Sequence, residues 1–154
     1  MSDTGRHPSD SLDRCRLISL PRHVSERGAL TEVQNDPALP FRVRRVFYIY
    51  DVPGGAERGG HAHRRDHELV IAASGSFDVE ISNGRHSRTF TLRRPHEALY
   101  VAPGHWLQMK NFSSGSIGLV LDSDPYTEED YIRDYDEYLK FTRNKAESDE
   151  ISVS

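Results

Sequence analysis

Gly55-Ala56-Glu57-Arg58-Gly59-Gly60-His61-Ala62-His63-Arg64-Arg65-Asp66-His67-Glu68-Leu69-Val70-Ile71-Ala72-Ala73-Ser74-Gly75 is the stretch on which the reading of this chain turns. At its centre stand His61, His63 and Glu68. Side chains on a strand alternate between faces, so residues two apart point the same way. If the segment is extended, His61 and His63 enter one space together. The glycines ahead of them let the backbone turn tightly and approach a ligand closely. Two imidazoles side by side indicate a metal site or acid/base chemistry. The plain alternative is a pair of surface histidines on a polar strand.

Outward from this stretch the chain reads as a series of short strands. Upstream, Arg16 to Leu20 is a first strand, Ser25 to Val33 a turn running into a second, and Val43 to Asp51 a longer β-rich run. In that run Val46, Tyr48 and Tyr50 share one face and Arg45, Phe47 and Ile49 the other, so both faces are expected to be covered. Downstream, Glu68 to Ala73 and Ser76 to Ser82 read as strands. Asn83-Gly84 then joins a partner, His86 to Leu92; Asn-Gly between alternating runs is a strong hairpin signal because both residues tolerate positive φ. Ala98 to Val101, Trp106 to Asn111 and Ser116 to Leu121 complete the series. About nine or ten such strands indicate an all-β sandwich or barrel. The exception is the C-terminus, where Thr127 followed by Glu128, Glu129 and Asp130 reads as a capped helix start. One amphipathic helix is expected over 128–142, with Ile132, Tyr135 and Leu139 at helical spacing. Residues 1–13 and 144–154 are polar and expected to be disordered tails around a single domain at 14–143.

The composition narrows the function. A chain of 154 residues suits one domain with a real core. A net charge of -4 argues against nucleic-acid binding as the main role. The single Cys15 excludes an internal disulfide and fits a reducing compartment. No apolar run has membrane-spanning length and no signal-peptide core begins the chain, so the cytoplasm is the expected location.

The spacing of Gly55, His61-x-His63, Glu68 and Gly75 resembles the first motif of the cupins. A second cupin motif, Pro-x-Gly-x-x-His with a following Asn, resembles Ala102-Pro103-Gly104-His105-Trp106-Leu107 and Asn111, with Ala102 and Leu107 as departures. The resemblance implies an all-β cupin jelly-roll barrel, or β-sandwich, with the site inside it and a C-terminal α-helix. Metal-binding cupins use three histidines and a glutamate, and Leu107 removes one ligand. His61, His63 and Glu68 still suffice for a non-haem iron type of triad. A metal-dependent cupin of oxygenase type therefore stands as the alternative, beside a non-catalytic sugar-binding cupin.

A closer resemblance covers nearly the whole chain. Arg58-Gly59-Gly60-His61-Ala62-His63, Leu99 to Trp106, Ser123 to Tyr126 and Asp130 to Tyr135 are similar to the sugar-nucleotide 3,4-ketoisomerases. That resemblance implies a dTDP-linked 4-keto-6-deoxyhexose substrate, no metal or other cofactor, a homodimer, and catalysis by the paired histidines in deoxyamino sugar biosynthesis. The related dTDP-sugar epimerases pair one histidine with an aspartate and a tyrosine instead. Moving a ketone from C4 to C3 requires one proton to leave C3 and one to arrive at C4, and imidazole titrates in the range that allows both. His61 is the expected carbon base and His63 the group acting on the oxygens, with the reverse assignment open. Arg58 is expected at the oxyanion or diphosphate. Tyr48 and Tyr100 are expected on the sugar, Arg45 and Arg27 on sugar or nucleotide, and Trp106 either there or in the core. In the resembling family the positions of Arg27 and Leu107 bear on which face of C4 is reprotonated. Arg27 resembles the arginine of galacto-forming members.

Overall fold

The computed structural model describes residues 12–153, with side chains placed through 148. Of the two tails expected from composition, residues 1–11 lie outside this range. Leu12–Arg14 form a short 3-10 turn.

The strands are β1 (Arg16–Ser19), β2 (His23–Ser25), β3 (Gly28–Leu30), β4 (Arg45–Ile49), β5 (Arg58–His63), β6 (Glu68–Ser74), β7 (Phe77–Ser82), β8 (Ser87–Leu92), β9 (Glu97–Val101), β10 (Trp106–Lys110), β11 (Ile117–Asp122) and β12 (Tyr131–Ile132). They make two five-stranded sheets of order β1-β9-β6-β11-β4 and β12-β5-β10-β7-β8, plus the β2-β3 hairpin. Every pairing is antiparallel. Two facing sheets with neighbours drawn from distant parts of the sequence form the jelly roll expected from the two cupin motifs. Phe77, Val79 and Ile81 alternate with half-buried neighbours and are fully buried between the sheets. Asn83-Gly84 makes the β7-β8 turn, with Gly84 at φ 91. Its Asn83 side chain accepts backbone hydrogen bonds from Arg85 and His86.

The C-terminal region corrects the helix expected over 128–142. The residues after Thr127 form only a 3-10 turn, Glu128–Asp130, and Thr127 makes no side-chain cap bond. Tyr131 and Ile132 then pair with His63 and Ala62 as strand β12. Helix α1 spans Tyr135–Val153. Its cap is Asp134, whose carboxylate accepts the Glu137 amide at 3.0 Å. It continues through the segment expected as an irregular tail, where Lys145, Ala146 and Glu147 are strong helix formers. The fully buried Tyr138 fixes the helix to the second sheet. Its hydroxyl lies 2.8 Å from Gly104 O and 3.1 Å from Ser82 O, and its ring packs on Trp106.

A second correction concerns β4. Its inward residues Phe47 and Ile49 face the barrel, but Val46, Tyr48 and Tyr50 are 57, 62 and 60 % exposed. Alternation identified the two faces correctly; nothing in the sequence of one chain says that a sheet-edge strand has its outer face uncovered.

Candidate active site

The barrel encloses a cavity of ≈ 380 Å³ that is open at one end. Phe47, Ile49, Val70, Val120, Leu107 and Met109 form an apolar wall. Glu57, Arg58, His61, Glu68, Tyr131 and Arg133 supply the polar side. The cavity exists at this point because Gly59 lets β5 approach β10. A Cβ on Gly59 would lie 3.0 Å from the Leu107 carbonyl oxygen, and φ there is +89. The β5-β10 register shifts between Leu107 and Gln108, beside the pair Leu107–His61. This irregularity sits where the imidazole enters the barrel.

The two histidines share a face, as alternation requires, but their surroundings differ. His63 is buried at 4 % exposure, hydrogen-bonded at Nδ1 and facing a carboxylate at Nε2. Nδ1 donates to Asp130 Oδ2 at 2.9 Å, and Nε2 lies 3.4 Å from Glu68 Oε1. Asp66 is 3.8 Å away on the Nδ1 side. Asp130 is itself fixed by the Arg65 and Asp66 amides, at 2.7 and 3.2 Å. Burial pulls His63 towards the neutral form, but Glu68, Asp66 and Asp130 outweigh it and raise its pKa above the ordinary imidazole value. His61 lines the cavity instead. Its Nε2 is buried, 3.9 Å from the same Glu68 oxygen, and makes no formed hydrogen bond. Nδ1 has no partner among the described residues.

Behind the histidines lies a buried charged network. Burial works against an ionised Glu68, but the two imidazoles outweigh it and hold the carboxyl well below its usual range. Asp122, its cross-strand partner, is fully buried; burial and the neighbouring Glu68 and Asp66 push its pKa up to about 10. A protonated Asp122 can donate to one of those carboxylates, giving work to Oδ1, which otherwise has no partner. Arg45 donates to Asp122 Oδ2 and, at 3.0 Å, to the Tyr131 hydroxyl. Burial opposes its charge, yet Tyr131 and Asp122 raise its pKa overall. Tyr131 stands over both imidazoles, with ring centroids 5.1 Å from His61 and 4.3 Å from His63. Burial raises its pKa, so it remains a phenol.

Of the residues singled out from the sequence, the cavity brings together His61, Arg58 and Leu107, with His63 directly behind. Arg45 reaches the site through Tyr131 and Asp122 rather than lining it. Tyr48 is on the outer face of β4. Tyr100 is 8 % exposed, and its hydroxyl meets His67 Nδ1 at 2.6 Å, away from the cavity lining. Trp106 lies under helix α1 against Tyr135 and Tyr138. Arg27 sits on the turn of the exposed β2-β3 hairpin. His67 is half-buried between Tyr100 and Phe41. Reading the sequence missed Tyr131 and Arg133 as cavity residues and Asp130 as the partner of His63. Their signal was the Asp130-Tyr131-Ile132-Arg133 element, which was read as helix. Arg133 is clamped to Glu128 at 2.6 and 3.0 Å, with its guanidinium 4.1 Å over the Tyr131 ring.

His61, His63 and Glu68 place one ligand atom each within 4.8 Å of one another. Both Nε2 atoms are free of hydrogen bonds, so the trio fits a divalent ion, with Leu107 contributing no ligand beside it. His105, two residues before Leu107, turns Nδ1 to the Ala102 and Pro103 carbonyls at 2.9 and 3.2 Å.

Three comparisons bear on this geometry. Residues 13–143 match the family model described as FdtA: WxcM-like, C-terminal. A TDP-4-oxo-6-deoxy-alpha-D-glucose-3,4-oxoisomerase from Aneurinibacillus thermoaerophilus is 36 % identical over 126 residues, covering 82 % of this chain and 91 % of the relative. Among solved structures, a 3,4-ketoisomerase from Helicobacter canadensis superposes with a TM-score of 0.81 at 36 % identity, covering 84 % of this chain and 97 % of the other. QdtA, a sugar 3,4-ketoisomerase from Thermoanaerobacterium thermosaccharolyticum in complex with TDP, does so with a TM-score of 0.84 at 32 % identity, covering 88 % and 98 %. A dTDP-4-dehydrorhamnose 3,5-epimerase from Bacillus anthracis, at 17 % identity and a TM-score of 0.67, shares the fold alone. With His61 on the wall of a jelly-roll cavity, His63 directly behind it and these matches across most of its length, the chain belongs to the FdtA, WxcM-like C-terminal family, the family of the sugar 3,4-ketoisomerases.

Proposed function

We propose that this protein moves the keto group of a TDP-linked 4-keto-6-deoxyhexose from C4 to C3, with His61 as the carbon acid/base. The observation that carries the assignment is the unequal partnering of the two histidines. His63 is buried behind the cavity, with Nδ1 committed to Asp130 and Nε2 turned to Glu68 at 3.4 Å, and is placed as a fixed group. A histidine on the cavity wall that forms no hydrogen bond at either nitrogen can take a proton; that is His61.

The reaction follows from this placement. His61 removes the proton at C3, and the C–H electron pair forms the C3=C4 double bond of an enediolate whose charge rests on O4. The O3 proton passes to O4, and His61 returns a proton to C4, leaving the ketone at C3. The His63 cation behind the cavity stabilises the anionic intermediate electrostatically. The Tyr131 hydroxyl accepts from Arg45, which leaves its own proton free for a sugar oxygen. Arg58 and Arg133 stand on the polar side of the cavity, where guanidinium suits the diphosphate. The apolar wall suits the C6 methyl of a deoxy sugar.

The product is a precursor for an amino-transfer step in deoxyamino sugar biosynthesis, and the cytoplasm is the fitting compartment. The protein acts as a homodimer. The exposed Val46, Tyr48 and Tyr50 on an edge strand and Val24 and Leu30 on the β2-β3 hairpin are the apolar surface that a second copy would bury. Proton NMR of TDP-4-keto-6-deoxyglucose incubated with the protein tests the reading: a 3-keto product supports it, and unchanged substrate or a C5 epimer refutes it. A second reading rests on the His61–His63–Glu68 trio, which would hold a divalent ion in a metal-dependent cupin. Such an ion would polarise a substrate oxygen as a Lewis acid. Stoichiometric metal together with loss of activity in EDTA would favour that reading.

A further inference from the structure

Glu68 offers one oxygen to two imidazoles. Oε1 lies 3.4 Å from His63 Nε2 and 3.9 Å from His61 Nε2. Both nitrogens are buried and neither forms a hydrogen bond. Glu68 Oε1 is a carboxylate oxygen within 4 Å of both. Buried polar atoms are rarely left without a partner, and catalytic hydrogen bonds are often long before substrate binds. The carboxyl itself is 3 % exposed and cannot turn to solvent. Asp122 lies across the strands from it, with Asp66 close to both His63 and Arg45. Tyr131 closes the side facing β12.

We infer that Glu68 is a positioning residue and shared counter-ion of the isomerisation, set between a fixed His63 and a working His61. The inference rests on the proposed ketoisomerase reading. In the resting state the carboxylate lies nearer His63. It also favours the His61 tautomer that carries its proton on Nε2, so that the Nδ1 lone pair faces the cavity. When Nδ1 takes the C3 proton, His61 becomes a cation while the substrate becomes an enediolate. Glu68 then closes on the Nε2–H and stabilises that cation. When Nδ1 returns the proton to C4, the carboxylate relaxes towards His63. Glu68 itself neither gains nor loses a proton.

The test is Glu68→Gln, which keeps the shape and an acceptor oxygen but removes the charge. The expected result is a fall in kcat of about 10- to 100-fold, comparable with other losses of a histidine's orienting partner, with KM within about twofold. ¹⁵N NMR of the histidines, read without substrate, should show wild-type His61 protonated at Nε2, and the variant should lose that preference. Unchanged kcat, or His61 signals identical in the two proteins, would overturn the inference. Circular dichroism melting of the variant verifies that the comparison is between folded proteins. If the wild type fails to isomerise the substrate but Glu68→Gln still changes the His61 tautomer, the activity reading fails and the positioning geometry stands.

Discussion

His61 and His63 are two residues apart on one strand and face the same way, yet they occupy two different regions. The inner end of the barrel, around His63, is closed. Asp130, Asp66, Glu68, Asp122, Arg45 and Tyr131 interlock there, with His63 Nε2, Arg45 Nε and Asp122 Oδ1 forming no hydrogen bond. The cavity around His61 is half apolar wall and half open polar groups. The comparison teaches that identity and orientation do not assign a catalytic role; the partners of each nitrogen do. On the proposed reading, the hydrogen-bonded His63 among its carboxylates is the fixed charge, and His61, which forms no hydrogen bond, is the reagent.

The largest effect should come from removing the reagent. His61→Asn keeps a polar group of similar shape and should lower turnover by about 10²- to 10⁴-fold. Substrate binding, followed by calorimetry with the nucleotide sugar, should change far less. A folded variant with full activity would erase the distinction between the two regions.

Breaking the closed region should affect stability first. Asp130→Ala leaves a buried imidazolium short of a partner and should cost about 3 kcal/mol in denaturant unfolding. The pH dependence has a definite sign. Because the folded-state pKa of His63 is raised, its contribution is fully present below about pH 6.5 and is lost as pH rises through the folded value. Wild-type stability should therefore fall across that window, and Asp130→Asn should flatten the fall.

Much of this was legible in the sequence. Gly59, His61, His63 and the Asn83-Gly84 turn act locally, so an all-β sandwich or barrel and the paired histidines were readable from spacing, and the jelly roll followed from the cupin resemblance. Asp130 was not. It meets His63 across 67 residues, and its neighbours Glu128 and Glu129 imitate the acidic first turn of a helix. A two-residue strand such as β12 carries no periodicity to detect. Arg45 read as a possible ligand contact because the pairing that occupies it, with Asp122, spans 77 residues. Tyr48 and Arg27 lie on surfaces that one chain leaves open, and their roles turn on what covers those surfaces.

Smaller effects sharpen the comparison at the wall. Leu107 pairs across the strands with His61 and can neither donate a proton nor bind an oxygen. Leu107→His and Leu107→Arg place a donor there and should change the product's C4 configuration ratio, read from ring-proton couplings, with a modest change in rate. An unchanged ratio and rate would reduce Leu107 to a packing residue. The smallest effect expected is none: since Leu107 occupies the position of a further metal ligand, incubation with EDTA should leave the initial rate unaltered.

The division between the two histidines is tested most directly by a ¹⁵N NMR titration of the imidazoles in the folded protein. His63 should keep protons on both nitrogens to a pH above that of an ordinary imidazole, as its carboxylate partners require. His63 losing its second proton at or below the ordinary value of about 6.5 would contradict the account, because it would then be as free to act as a base as His61.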